Sequence, residues 1–226
     1  MLKSRLIAFV GPVGSGKSTQ MRLLYSKLKQ RGLKVKMSFL KTGHLFAFIL
    51  EVILAKMVAS KRKDVSPIRA LVEEKPHFFK RIFKLWLGLD LISIAIKFLT
   101  NIYIPLKLGY TILVEEYIPA TISDYIYLSK IIKFPLKVNF AINYLLRLIS
   151  LCGPIQVIFL DAKNNELKTR WKLRGSFNER EDYLRMQRTL LLQISRKLSS
   201  YKLIYVSTEA KTLTDTQELI MSHLLV

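Results

Sequence analysis

A glycine-rich segment near the amino terminus has the residue types and spacing of a phosphate-binding loop. Gly11, four further residues and then Gly16-Lys17-Ser18 match the Walker A pattern. Backbone amides can surround a polyphosphate, the lysine can reach its β- and γ-phosphates, and the hydroxyl can ligate Mg²⁺. We therefore predict that the chain binds ATP and Mg²⁺, that Lys17 is catalytic and that Ser18 is a metal ligand. The predicted nucleotide-binding residues are Gly11, Gly14, Ser15, Gly16, Lys17, Ser18 and Thr19.

This loop lies between two segments that can position it. The apolar run Leu6 to Val10 predicts a buried strand, and residues 17–30, which end at Gly32, predict a helix. The helix would direct its unpaired amides and its positive dipole end at the phosphates. The alternative, a chance glycine-rich turn, does not account for this context.

The rest of the chain alternates short apolar runs with longer helical patterns. This order predicts an α/β, three-layer P-loop kinase fold with a five-stranded parallel sheet and helices on both faces. The predicted strands are 6–10, 34–40, 111–114, 156–160 and 203–206. The predicted helices are 17–30, 44–59, 77–100, 120–151 with a break near Pro135, 164–173, 181–198 and a last helix at the carboxyl end.

Composition restricts the protein class. The 226 residues are 50% hydrophobic, which excludes a disordered chain and predicts one domain over 1–226 with a helical acceptor-side region at about 43–105. Cys152 is the only cysteine, which excludes a disulfide scaffold and is typical of a cytoplasmic protein.

Asp90 and Lys97 interrupt the most apolar stretch, so we predict no transmembrane segment. The 37 basic and 16 acidic residues give a net charge of +21, which attracts polyanions.

Two carboxylates follow the third predicted strand directly. Glu115 would lie near the phosphate loop, because ligands of an open α/β sheet bind at the carboxyl ends of its strands. It could hold Mg²⁺ or accept a proton from the acceptor hydroxyl. The alternative is that Glu115 and Glu116 are an ordinary acidic pair in solvent. Asp161, after the fourth strand, could act near the metal or cap a helix.

The chain resembles the thymidylate kinase family of nucleoside monophosphate kinases in four segments. Besides Gly11 to Thr19, residues 115–125 are similar to the Asp-Arg-Tyr motif of that family and the helix after it. Val157 to Asp161 is similar to the fourth strand, and residues 170–181 are similar to the arginine-rich lid. The phosphate loop is the most specific of these matches.

The resemblance implies ATP-dependent phosphoryl transfer to a nucleoside monophosphate and an association into homodimers through apolar helices. It also implies a lid at about 170–181, in which Arg170, Arg174 and Arg180 are catalytic because arginines stabilise the transferring phosphoryl group. The alternative for Arg170 and Arg174 is a solvated helix face, with Arg180 in an ion pair.

The chain departs from the family where the acceptor would bind. Glu115-Glu116 replaces Asp-Arg, so the arginine that would clamp an acceptor phosphate is missing, and the Arg-Glu-Pro-Gly stretch is absent. A nucleoside acceptor, as in deoxynucleoside kinases, is therefore the open alternative. The predicted substrate-binding residues are Lys41, His44, Arg81, Glu116 and Tyr117, with Arg69 as a further cation.

Two other functions remain as alternatives. Basic residues flank the apolar helices 44–59 and 77–100, a pattern typical of interfacial helices, so the acceptor could be a non-nucleotide compound at a membrane surface. A nucleic-acid-binding or regulatory ATP-binding protein would also suit the charge. The sequence has no helicase or recombinase motif and no aromatic and basic platform for single strands, which argues against specific nucleic-acid binding.

Overall fold

The computed structural model describes residues 2–58, 67–134, 138–173 and 181–224. Its centre is a five-stranded sheet in the order β2-β3-β1-β4-β5, in which all neighbouring strands are parallel. The strands are β1 (Leu6–Val10), β2 (Val35–Leu40), β3 (Thr111–Glu116), β4 (Ile155–Asp161) and β5 (Ile204–Ser207). The predicted parallel sheet is confirmed.

The strand β1 is apolar throughout because helices cover both faces of the sheet. Leu6, Ala8 and Val10 of β1 belong to the core on one face, whereas Ile7 and Phe9 belong to the core on the other face. Side chains of a strand alternate between faces, so a strand buried on both sides cannot show polar alternation. The continuous apolar runs in the sequence therefore identified the strands.

The helices form a thin layer and a thick layer. On one face, α1 (Lys17–Gln30) and α10 (Leu213–Leu224) pack against the sheet. The other face is covered by the remaining large helices and by the region that contains the predicted acceptor side. These elements are α2 (Leu45–Val58), α3 (Pro67–Glu74), α4 (Pro76–Phe98), a π-helical turn (Leu99–Tyr103), α5 (Ile104–Lys107), α6 (Tyr117–Ile131), α7 (Val138–Ser150) and α9 (Glu181–Leu198). The helix α8 (Asn164–Leu173) packs in a separate small cluster, in which its Leu167 and Trp171 contact Leu184 of α9.

One helix and one helix boundary differ from the sequence prediction in a way that matters for the site. The helix α3 was not predicted, because its eight residues are too few for a clear periodic pattern. The helix α6 begins at Tyr117, directly after β3, three residues earlier than predicted. No loop therefore separates Glu115 and Glu116 from the helix that follows them.

Within the part of the chain that the structure describes, no helix is both long enough and apolar enough to cross a membrane.

Candidate functional site

The glycine-rich loop connects β1 to α1 at the carboxyl edge of the sheet. Gly16 caps α1 in the left-handed conformation (φ 92°), and no side chain of the described residues caps that helix end. Gly11 is also required by space, since a Cβ there would lie 2.0 Å from the Leu160 carbonyl oxygen of β4. The loop is therefore fitted between two strands and leaves the first amides of α1 available to an anion.

The interior of the loop has an unpaired polar group and open space. The Ser15 hydroxyl is buried and has no hydrogen-bond partner among the residues that the structure describes. Around Gly16, a Cβ would meet nothing within 4 Å. Buried hydroxyls are normally hydrogen-bonded, so this arrangement fits a loop that closes around a polar ligand.

Lys17 lies under the loop and is almost completely buried. Its Nζ donates to the carbonyl oxygens of Gly11 at 2.9 Å and Pro12 at 3.0 Å, and it forms an ion pair with Glu116 Oε1 at 3.0 Å. Three oxygens thus hold the lysine at the loop, and the oxygens of a polyphosphate would compete with them for Lys17 Nζ.

The junction of β3 and α6 directs two consecutive carboxylates at the phosphate loop. Neighbouring residues of a regular strand point to opposite faces of the sheet. Here Glu116 (φ 69°) and Tyr117 (φ 58°) both have positive φ angles, which non-glycine residues rarely adopt. Glu115 consequently reaches Ser18 while Glu116 reaches Lys17.

Ser18 and Glu115 provide oxygen atoms suited to magnesium. The Ser18 hydroxyl donates to Glu115 Oε1 at 2.6 Å, so the two predicted ligands are adjacent at the start of α1. Mg²⁺ prefers oxygen ligands and commonly takes one or two from protein, the others coming from phosphates and water. The described residues contain no group of three or more His, Cys, Asp or Glu side chains that could hold a metal by themselves. The geometry therefore fits a magnesium ion that is bound together with a nucleotide.

The helix α8 is attached to the phosphate loop through two adjacent side chains. The buried Trp171 donates from Nε1 to the Val13 carbonyl at 2.9 Å. Arg170 donates to the Gly14 carbonyl at 3.2 Å and to the Thr208 hydroxyl and carbonyl, both at 3.0 Å. It also pairs with Glu166 on its own helix.

These contacts place Arg170 beside the phosphate loop. The guanidinium joins α8, the phosphate loop and the residues after β5. Arg174 and Arg180, and most of the predicted lid, lie outside the described residues.

The carboxylate of Asp161, at the end of β4, accepts hydrogen bonds from three neighbouring groups of the protein. Its carboxylate accepts from Arg188 Nε at 3.0 Å, from the Ala162 amide at 2.9 Å and from the Tyr205 hydroxyl at 3.2 Å. The carboxylate thus fixes α9 to the sheet edge through Arg188. The sequence did not indicate Arg188, because an arginine in an amphipathic helix carries no signal of its partner.

On the acceptor side, residues 41–44 follow β2 and are held by two acids, the buried Asp90 and the largely buried Asp124. Asp90 of α4 accepts from the Gly43 amide at 2.9 Å and from Tyr125 at 2.7 Å. Asp124 of α6 accepts from the Thr42 hydroxyl at 3.1 Å. We call residues 41–44 the acceptor-side loop.

A third acid, Glu51 of α2, also borders this loop. Its carboxylate accepts from Trp86 Nε1 at 2.9 Å, and a Cβ on Gly43 would lie 3.1 Å from it. Burial raises the pKa of Glu51 to about 7 and that of Asp90 to about 6. Burial also raises the pKa of Asp124, and the nearby Glu116 adds to this shift.

Two of the predicted cations of the acceptor side, His44 and Lys41, are neutral and paired respectively. Burial and the charge of Lys97 lower the pKa of His44 to about 4, so its imidazole is uncharged at neutral pH. Lys41 Nζ lies 3.9 Å from Asp124. Burial would raise the pKa of Glu116, but the charges of Lys17 and Lys41 outweigh it and hold that pKa below its usual value.

Two predicted substrate-binding residues lie elsewhere. Arg81 is on the exposed side of α4, about two and a half helical turns before Asp90 and on the opposite side of the helix, and it does not join this group. Tyr117 is 1% exposed and packs in the core, because its positive φ turns the chain into α6. The side chain of Arg69 lies outside the described residues.

Four residues that organise the site were not predicted from the sequence: Glu51, Asp90, Asp124 and Trp171. The first two had a detectable signal, since each is the only acid of its helix and is surrounded in the sequence by apolar residues. A buried charge in such a helix has to find a partner, and here the partners are the acceptor-side loop and aromatic donors.

Comparison with solved structures identifies the fold. A thymidylate kinase from Candida albicans superposes with a TM-score of 0.61 at 17% sequence identity, over 99% of this chain and 92% of that chain. A thymidylate kinase from Ehrlichia chaffeensis gives a TM-score of 0.53 at 16% identity, over 98% of both chains. No protein-family model and no curated protein matches the chain. The resemblance predicted from the sequence is therefore confirmed for the fold.

Proposed function

We propose that the protein is a kinase that transfers the γ-phosphoryl group of ATP to a nucleoside or a nucleoside monophosphate. One observation carries this proposal: Lys17, Ser18 and Glu115 meet inside a glycine-rich loop at the carboxyl edge of the sheet. The thymidylate-kinase fold over nearly the whole chain supports a nucleotide kinase.

Each residue of the loop has a role in this proposal. The amides of residues 11–19 bind the phosphates, and Lys17 exchanges its present oxygen partners for the β- and γ-phosphate oxygens. Ser18 and Glu115 hold Mg²⁺, which when bound neutralises charge on the transferring phosphoryl group. Trp171 and Arg170 keep the loop in this shape. Arg174 and Arg180 remain proposed lid residues.

The charges on the acceptor side favour a nucleoside over a nucleoside monophosphate. A phosphomonoester needs cations that are free to pair with it. Here Glu116 replaces the family's arginine and pairs with Lys17, and His44 is neutral because of its lowered pKa. Asp90 and Asp124 add carboxylates. A hydroxyl acceptor with no phosphate of its own suits these surroundings better.

The proposal is tested by ADP release in the presence of candidate acceptors. We expect release that depends on an added nucleoside and is slower with dTMP and other monophosphates. Lys17→Ala should lower the rate at least about 100-fold, because phosphoryl transfer depends on cations that stabilise the transferring group. Lys29→Ala, which changes an exposed lysine of the same helix, is the matched control and should behave as the wild type.

Three results would contradict the proposal. They are the absence of ATP binding by the folded protein, an ATPase rate that no nucleoside or monophosphate increases, and full activity of Lys17→Ala. Faster turnover with dTMP than with any nucleoside would leave a kinase but overturn the preference for an uncharged acceptor.

A further inference from the structure

The strands of the sheet all begin at one edge, because neighbouring strands are parallel throughout. We call this the amino edge. It consists of the residues just before the strands, at 2–5, 31–34, 107–110, 151–154 and 199–203. The phosphate loop follows β1 and therefore lies at the opposite edge. The residues of the amino edge have no role in the proposed function.

The five segments of the amino edge form one continuous surface. Neighbouring strands lie about 4.8 Å apart, so the segments before them lie side by side in the order of the strands. Hydrogen bonds join them directly: the Tyr201 hydroxyl donates to the Lys3 carbonyl at 2.7 Å, and the Ser4 hydroxyl donates to the Pro154 carbonyl at 2.6 Å. The amino edge is therefore a fixed surface and not a set of separate loops.

Large apolar side chains are exposed along this edge. Leu33 before β2, Leu108 before β3 and Leu151 before β4 are 40%, 66% and 49% exposed, and Tyr201 before β5 is 38% exposed. A single exposed leucine on a protein surface is ordinary. Here neighbouring segments of one edge each present such a residue, and adjacent exposed apolar residues commonly mark a place of interaction.

The charges beside these apolar residues are all basic. No acidic residue occurs in the five segments of the amino edge, whereas the acids next to strands, such as Glu115 and Asp161, lie at the opposite edge. Apolar residues that enter a membrane surface and cations that attract its anionic lipids together determine how strongly a protein binds there. The exposed cations of the amino edge are Lys3, Arg5, Arg31, Lys34, Lys107 and Lys202.

Charge argues against a second copy of the chain on this edge. In a two-fold dimer the same surface of each copy would face the other. Cations occur along the whole length of the edge, from Lys34 before β2 to Lys202 before β5, and these are the two outermost strands of the sheet. Any rotation of the second copy would therefore place cations near cations, whereas an anionic bilayer supplies the opposite charge.

The type of apolar residue argues against nucleic acid. Proteins that bind single strands without sequence preference stack the bases on aromatic side chains. The amino edge instead exposes three leucines, and the hydroxyl of its exposed tyrosine is bound to Lys3. Aliphatic side chains gain more from the acyl chains of a bilayer than from phosphates and bases.

We propose that the amino edge docks on the surface of an anionic lipid bilayer. Leu33, Leu108 and Leu151 enter the boundary between headgroups and acyl chains, while the long basic side chains reach the headgroups. Docking in this orientation leaves the phosphate loop, at the opposite edge of the sheet, facing away from the membrane. The proposal does not depend on kinase activity, and Lys17→Ala protein should dock as the wild type does.

The test is flotation of the full chain with phosphatidylcholine vesicles that contain or lack phosphatidylglycerol, at low and high salt. We expect binding to the anionic vesicles and a partition coefficient that falls about tenfold or more in Leu108→Ser/Leu151→Ser, because two apolar side chains no longer enter the interface. The matched control is Leu173→Ser/Leu213→Ser, which changes residues of α8 and α10 that are 83% and 59% exposed. It should stay within about twofold of the wild type.

A pair of charge variants separates docking from the general attraction of a basic protein. Lys34→Ser/Lys107→Ser removes two cations of the amino edge, and Lys172→Ser/Lys211→Ser removes two exposed cations elsewhere. We expect the first variant to weaken binding several-fold more than the second, since charge near the membrane acts within a Debye length.

A polarity-sensitive dye on Leu33→Cys gives a second readout, in which no binding has to be lost. The native Cys152 is buried, and burial raises its pKa to about 11, so it reacts slowly with the dye reagent. The emission of the dye should shift to the blue with anionic vesicles, whereas dye on Leu213→Cys should not shift.

Five outcomes would overturn the proposal. Three concern the vesicles: no binding to anionic vesicles at low salt, equal loss of binding in each variant and its control, and binding that high salt abolishes but Leu108→Ser/Leu151→Ser leaves unchanged. A solution dimer that Leu108→Ser/Leu151→Ser dissociates would assign the edge to a second copy. Tighter binding to an oligonucleotide than to anionic vesicles, weakened by the same variant, would assign it to nucleic acid.

Discussion

Gly14 is a residue of the phosphate loop at which an added side chain would meet α8. It has φ 85°, and a Cβ there would lie 2.8 Å from Trp171 Nε1, the atom that donates to the Val13 carbonyl. Gly14→Ala would therefore combine backbone strain with displacement of a buried ring. We expect a loss of about 2–3 kcal/mol in the free energy of unfolding and weaker ATP binding.

Gly32→Ala is the control for this prediction. Gly32 also has a positive φ (76°), but a Cβ there meets nothing within 4 Å and the residue lies beyond the far end of α1. Only the strain of about 1 kcal/mol should remain, without an effect on ATP. Equal losses in chemical denaturation for the two variants would show that the contact with Trp171 is unimportant.

The Lys17–Glu116 pair predicts opposite effects on stability and on ligand binding. Glu116→Gln keeps a hydrogen-bond acceptor but removes the charge that compensates the buried lysine. We expect the unliganded protein to lose about 2 kcal/mol of stability, because a buried charge without its partner is costly. Since phosphate no longer competes with a carboxylate for Lys17, ATP should bind about fivefold more tightly.

Thermal unfolding with and without ATP, together with titration calorimetry, measures both effects. Glu209→Gln is the control, since it breaks the more exposed Lys163–Glu209 pair (2.8 Å). An exposed pair contributes little to stability because water screens its charges, so this variant should resemble the wild type. Weaker ATP binding by Glu116→Gln would contradict the competition between phosphate and carboxylate.

At the scale of elements, α8 is expected to control the shape of the phosphate loop. Trp171→Phe keeps most of the buried ring but removes the hydrogen bond to Val13. The unpaired carbonyl should cost about 1–3 kcal/mol, and the loosened loop should bind ATP several-fold more weakly. Titration calorimetry with ATP measures the change in affinity.

Trp86→Phe tests whether this effect is specific to α8. It also removes one hydrogen bond of a buried tryptophan, but the partner is Glu51 on α2. Both variants should be less stable, and only Trp171→Phe should change the affinity for ATP. A similar change in affinity for both would show that general loss of stability, and not the contact of α8 with the loop, is responsible.

The sequence was sufficient to predict the elements that have strong local patterns. The strand β1, the helix α1 and the phosphate loop between them lie where they were predicted, because apolar runs and glycine spacing depend on adjacent residues. The pairing of Ser18 with Glu115 was anticipated because both lie at the carboxyl edge of a parallel sheet.

What could not be predicted depends on contacts between distant residues. The positive φ angles at Glu116 and Tyr117 follow from the packing of α6 directly after β3, and neither residue type signals them. Arg170 lies 156 positions from Gly14 in the chain, so its contact with the loop has no local pattern. The same holds for the three carboxylates around the acceptor-side loop, which come from three different helices.

Over the whole molecule, the distribution of acids is unlike the distribution of bases. The chain has 37 basic and only 16 acidic residues, yet Glu51, Asp90, Glu116 and Asp161 are all buried at or near the candidate site. A basic exterior attracts anionic ligands over a distance, while the buried acids hold the loops that would receive them. This arrangement makes the stability of the fold depend on the protonation of a few carboxyl groups.

Glu51 and Asp90, whose pKa values burial raises to about 7 and about 6, make stability depend on pH in the same direction. The pKa of Glu51 rises from 4.5 to about 7 on folding, so between these pH values the folded protein retains a proton that the unfolded chain has lost. Stability then falls as pH rises through this window, by on the order of 3 kcal/mol from this group. His44 acts in the opposite direction below pH 6.5, because its pKa falls to about 4.

Comparing Glu51→Gln with the wild type isolates the glutamate, because the contribution of His44 cancels in the difference. Glutamine can still accept the hydrogen bond from Trp86 but carries no charge, so the variant should gain stability relative to the wild type from pH 4.5 to pH 8. Chemical denaturation at several pH values measures this difference, with the exposed Glu218→Gln as the control. The difference in the free energy of unfolding between Glu51→Gln and the wild type could instead be the same at pH 4.5 and pH 8. That result would mean that Glu51 is ionised in the folded protein and that a full negative charge borders the acceptor-side loop at neutral pH.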